Sequence, residues 1–217
     1  MRLELLNFIS RWGDPIDPVE VPQSYFDEYG EQLPELMLDL WREIGFAGFG
    51  NGLLWLCDPH AWQPIVNTWL DGVDLPDEYR GEQIPIFRTA YGDIYCFKQG
   101  LGQKLDIDPV VSTIGLFRPE PVSGQEWIDM DITDILGFPA SQFLLQADPP
   151  DEGDDLQEDL FPRIVEQLGP TTHDTIYTFE PSIQEGGDIR VEYAKLADAA
   201  TELTRLRTLQ TPQLSVV

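Results

Sequence analysis

Apolar residues recur at helical spacing at the start of the chain. Leu5, Phe8, Ile9 and Trp12 fall on one face, and Gly13 marks a stop. "VPQSYFDEYG" predicts a short second helix. The strongest pattern is "LPELMLDLWREIG", where Leu33, Leu36, Met37, Leu40, Trp41 and Ile44 make one stripe. Pro34 suits its first turn and Gly45 its end. The glycines of "GFAGFGNG" then predict a flexible turn into the strand "LLWLC". Asp58 is placed as an N-cap with Pro59 at the first helical position, and Trp62, Ile65, Val66, Trp69 and Leu70 form the next buried stripe. "IPIFRTAYGDIYCFK" reads as a hairpin turning at Gly92-Asp93. "DPVVSTIGLF" predicts a strand with Val110, Ile114 and Leu116 on one face.

After Arg118 the periodicity weakens, and "SGQEWIDMDITDILGF" reads as helical in part. Pro162 disfavours helix at Phe161, so a helix is expected from there to Leu168. "HDTIYTFEP" reads as a strand. From about Val191 a helix is expected, with Tyr193, Leu196, Ala197, Ala200 and Leu203 inward, followed by a loose tail "TPQLSVV". Helices first, then strands, then mixed elements favour an α+β fold with a mostly antiparallel sheet flanked by helices. A boundary is expected within Arg118 to Gln125, dividing a segment 1–118 from a segment 125–210, the two packed as one compact unit.

Composition changes the picture in one respect. The chain carries 39 Asp plus Glu against 13 Lys plus Arg, a formal net charge of −26. Such a surface repels phosphate backbones and anionic membranes, and favours basic proteins or metal cations as partners. The charge is densest in "DPPDEGDDLQED", where Asp148, Asp151, Glu152, Asp154, Asp155, Glu158 and Asp159 meet no basic residue. Read as a calcium loop from Asp151, the stretch fails at Gly153 in the third position and Leu156 in the sixth. It reads as a solvated loop, a contact surface for something basic, or a weak, opportunistic cation site.

Candidate chemistry is sparse. Cys57 and Cys96 sit in apolar runs and read as buried, reduced strand residues. His60 and His173 lack a second ligand at metal spacing, and no nucleophile is identifiable beside His173-Asp174. Trp12, Trp41, Trp55, Trp62, Trp69 and Trp127 read as core. The N-terminus lacks the apolar stretch of a signal peptide and no run is apolar enough to span a membrane, so a cytoplasmic location is expected. No cofactor is implied. The residues support a non-enzymatic binding protein. The alternatives are a small carboxylate- or metal-dependent hydrolase and a regulatory module for an endogenous protein.

Two stretches resemble known families. "LPELMLDLWREIGFAGFGNGLLWLCDPHAWQPIVNTWL", continued by "IPIFRTAYGDIYCF", is similar to the GAD-like domain in its leucine-proline start, Trp-x-x-x-Gly helix end and aromatic-Gly-Asp hairpin. "LGPTTHDTIYTFEPSIQEGGDIRVEYAKLADAATEL" resembles the C-terminal domain of type VI secretion immunity proteins, through its Leu-Gly start, Asp-x-x-Tyr-x-Phe strand and Gly-Gly pair. The order of the two matches immunity proteins that neutralise DNase toxins. The resemblance implies a cognate toxin with a basic DNA groove as partner, covered by the acidic stretch or its neighbourhood. It carries no catalytic residues to this sequence.

Overall fold

A computed structural model describes residues 2–118 and 160–216. Its centre is an eight-stranded sheet in the order β1-β2-β3-β4-β5-β6-β7-β10. The strands are β1 (Ile16–Val19), β2 (Phe46–Phe49), β3 (Leu54–Leu56), β4 (Ile84–Thr89), β5 (Ile94–Lys98), β6 (Gly102–Asp108), β7 (Thr113–Leu116) and β10 (Gln213–Val216). Neighbours run antiparallel except β7 and β10, which are parallel. A separate antiparallel pair joins β8 (Thr175–Phe179) to β9 (Ala194–Asp198). With helices around this sheet, the fold is α+β, as the order of patterns predicts.

The helices form where the apolar spacing places them. They are α1 (Leu3–Trp12), α2 (Gln23–Tyr29), α3 (Glu35–Glu43), α4 (Pro59–Leu70), α5 (Leu160–Leu168) and α6 (Ala199–Leu209). Helix α1 buries Leu5, Phe8 and Trp12, and α3 buries its predicted stripe as far as Trp41. One apolar cluster packs α1, α2 and α3 against β2, β3 and β4. A second packs α4 and α6 against β5, β6 and β7. Strand β5 shows the period-two logic, with Ile94 and Cys96 in the second cluster and Tyr95 and Phe97 against the first. Each fully buried large side chain contributes about 1.5–3 kcal/mol of transfer free energy. All five tryptophans among the described residues are buried.

Several expectations are overturned. "GFAGFGNG" contains strand β2; only Gly50 to Leu53 make the turn. The hairpin does not turn on Gly92-Asp93 alone. Thr89 and Asp93 close a longer loop, with Thr89 N donating to Asp93 O at 3.0 Å. Val110 lies in the turn before β7 and packs with the first cluster, while Ile114 and Leu116 belong to the second. Phe161 is helical despite Pro162, because proline is tolerated in a first turn where its missing N–H is not needed. The segment from Val191 is not one helix. Residues 194–198 form β9, drawn into pairing with β8, and the helix starts only at Ala199. Tyr193, Leu196 and Ala200 are exposed, whereas Ala199, Leu203 and Leu206 face the core. The tail is strand β10.

Candidate functional site

The acidic residues Asp148, Asp151, Glu152, Asp154, Asp155, Glu158 and Asp159 lie outside the described residues, as do Trp127 and the "SGQEWIDMDITDILGF" segment. The described residues build a different site. It is a cleft of about 130 Å³ between the end of β3, the start of α4 and the loop that leads into β8.

Its floor is Arg88 on β4, only 1% exposed. The strand is buried along its whole length, and Arg88 is among the residues that line the cleft. Two tryptophans take its faces, with Arg88 Cζ 5.1 Å from the Trp55 ring centroid and 4.7 Å from that of Trp62. Its Nη2 donates to Thr172 O at 2.5 Å and to His173 O at 3.2 Å, and Nη1 to Thr89 O at 3.2 Å. Arg88 thereby ties the 171–174 loop to the sheet. Burial pulls its pKa down to about 10, opposed by the negative charge of Asp174 nearby. It stays charged at neutral pH.

The same loop is fixed a second way. Trp55 Nε1 donates to Gly52 O at 3.0 Å and to Thr171 Oγ1 at 2.9 Å, and Thr171 Oγ1 donates to Gly52 O at 2.6 Å. The His173 ring meets the Trp55 ring edge-on at 4.7 Å, and its Nε2 donates to Asp17 O at 2.7 Å. Asp58 caps α4 by accepting from His60 N at 2.9 Å, as predicted, and also accepts from Tyr25 Oη at 2.9 Å. His60 Nε2 lies 2.9 Å from Glu28 Oε2. Both histidines therefore have protein partners, and only His173 lines the cleft.

Among the described residues, the cleft lining contains no hydroxyl or thiol side chain for His173 and Asp174 to activate. Cys57 and Cys96 are free and buried; burial pushes the Cys57 thiol up to about 12 and raises Cys96 as well. A second cluster holds Asp93, Asp106 and Asp108 near the end of the sheet. Burial, then the charge of Asp108, raises Asp93 well above the carboxylate range. A side-chain hydrogen bond between Asp93 and Asp108 pushes Asp93 up and Asp108 down. Burial, then Asp108, lifts Asp106 to about 6. No group of three or more His, Cys, Asp or Glu among the described residues is placed to hold a metal ion.

Comparison with known proteins fixes the affiliation of the first half. Residues 4–111 match the GAD-like domain family. That GAD-like segment supplies β3, β4 and α4, and so most of the cleft. No curated protein matches the sequence. Among solved structures, the crystal structure of Atu4351 from Agrobacterium tumefaciens superposes with a TM-score of 0.81 at 22% identity, covering 97% of this chain and 91% of that one. At that identity the likeness is one of fold. It extends beyond the GAD-like segment to nearly the whole chain. No helix among the described residues is long and apolar enough to cross a membrane.

The role of Arg88 was not foreseen. Its sequence signal is a single arginine inside "IPIFRTAY", a run with no acidic residue to pair with it. A strand buried on both faces leaves such a cation only aromatic faces and carbonyls.

Proposed function

We propose that this protein is an immunity protein. It binds a cognate type VI secretion toxin, a DNase, and covers the toxin's basic DNA-binding or active-site surface in the cytoplasm. The observation that carries this reading is the charge. The chain has a formal net charge of −26. Arg2, Arg42, Arg80, Arg190, Lys195 and Arg205 each already pair with an Asp or Glu on the same chain. Six of the thirteen cations are thus paired on the same chain, which leaves the carboxylates in large excess.

A nuclease must offer positive charge to the DNA backbone. An acidic inhibitor meets that surface with a complementary potential and associates at up to about 10⁸–10⁹ M⁻¹s⁻¹ at low salt. An interface of about 1,200–2,000 Å² is enough to block access, with no turnover by the inhibitor. On this reading the segment 125–210 is the immunity C-terminal domain, and the acidic stretch from Asp148 to Asp159 lies against the toxin's groove.

Co-expression tests the reading. Cells that produce the nuclease encoded beside this gene are expected to survive only with this protein present, and the two are expected to co-purify. Survival with an unrelated protein of equal charge, or no rescue by this one, overturns it.

A further inference from the structure

Arg88 makes more of the cleft than a structural clamp requires. A buried charge is costly unless paired, and buried cations normally meet a carboxylate. Arg88 is 1% exposed and charged at neutral pH, yet it makes no ion pair with any described carboxylate. Its recorded partners are three neutral carbonyls and two indole faces, and Nε donates to none of them. Asp174, at the exposed rim, acts on it only from a distance. The cleft above it is about 130 Å³, comparable to cavities that take one small organic molecule. Its walls include Val19, Phe46 and Leu56, which suit a short apolar body.

We propose that the cleft binds a small carboxylate, its headgroup directed to Arg88 and its short apolar body against Phe46 and Leu56. Nη2 is committed to Thr172 O and His173 O, so a carboxylate would accept from the remaining Nε–H or Nη1–H, a charge-assisted bond about twice as strong as one to a neutral ligand. Asp58 and Asp174 also line the cleft, but Asp58 accepts from Tyr25 Oη and His60 N and Asp174 sits at the exposed rim, while repulsion from the rest of the chain is screened beyond about 8 Å at physiological salt. Carboxylate binding at Arg88 does not rest on the toxin reading. The same chemistry is available from a free carboxylic acid or from an acidic side chain on another protein.

Titration of the full chain at physiological salt, followed by NMR of the Trp55 and Trp62 indole N–H groups, tests this. Propionate is expected to shift both signals saturably, and propionamide, the same shape without charge, is not. Arg88→Met is expected to weaken propionate binding by roughly tenfold or more. Should that variant unfold, Ala61→Phe serves instead. Ala61 is an exposed residue of α4 on the cleft wall, so a phenyl ring fills the space and leaves Arg88 in place. Tighter binding by a blocked Ala-Glu-Ala peptide than by propionate supports the site and assigns it to a protein side chain; the reverse supports it and assigns a free acid. Equal shifts by propionate and propionamide, or shifts that survive Ala61→Phe, overturn the proposal.

Discussion

Gly48 and Trp55 face each other across β2 and β3, and their contact decides how the cleft is built. A methyl group on Gly48 would lie 2.6 Å from Trp55 Cζ2, closer than any real contact allows. The glycine is there so that an indole can lie flat on the strand, not to make a turn. That is why a glycine-based turn prediction failed at "GFAGFGNG": glycine marks both bends and close approaches, and the partner ring is distant in sequence. Gly48→Ala is expected to lower stability by about 1–3 kcal/mol, seen as a fall in Tm. An unchanged Tm contradicts the packing described.

Asp106 gives a second prediction at this scale. Its folded-state pKa of about 6 lies above the ordinary 3.8. A raised carboxyl pKa means the folded state favours the proton. That stability is fully present below about 3.8 and is lost as pH rises through about 6. Asp106→Asn keeps an acceptor for the Gly115 N–H and removes the charge. It is expected to be more stable than the parent above pH 6 by about 1–2 kcal/mol, less than the full shift because the group is part-exposed, and equal to it near pH 4. Denaturant unfolding at the two pH values checks this; a gain that persists at pH 4 refutes the cause.

At the scale of elements, stripes of apolar residues and helix caps were legible and pairing was not. Helices α1, α3 and α4 follow from spacing and caps that lie within a few residues. Strand β9 was read as helix because "AKLAD" suits a helix locally; its pairing with β8, some twenty residues away, overrides that preference. Strand β10 looked like a tail because its side chains are exposed; what holds it is backbone pairing with β7, which side-chain pattern cannot announce. Removing residues 211–217 is therefore expected to lower Tm measurably and to raise amide exchange along β7. No change in either places β10 outside the folded unit. Helix α6 depends on α4 through Trp69 Nε1, which donates to Leu203 O at 3.1 Å. Leu203 is fully buried in that contact, and Leu203→Ala is expected to cost about 2–5 kcal/mol in chemical denaturation. A cost below 1 kcal/mol would show that the two helices are not cohesive.

For the whole molecule, composition was the most informative property and the site was the least legible. Net charge needs no structure to be read. The cleft needs Arg88, Trp55, Trp62 and the 171–174 loop, which only the tertiary fold brings together. If the proposed toxin is the partner, neutralising Asp151, Glu152, Asp154 and Asp155 together is expected to slow association with it and flatten the salt dependence, while the circular dichroism spectrum is unchanged. An unaltered on-rate removes the acidic stretch from the encounter and leaves immunity itself standing.

The most direct test of the proposed immunity is DNA cleavage by any nuclease encoded beside this gene, titrated with the purified protein. Cleavage is predicted to fall to background near equimolar protein at low salt, with initial association slowing as salt rises. Undiminished cleavage at large excess would contradict the account.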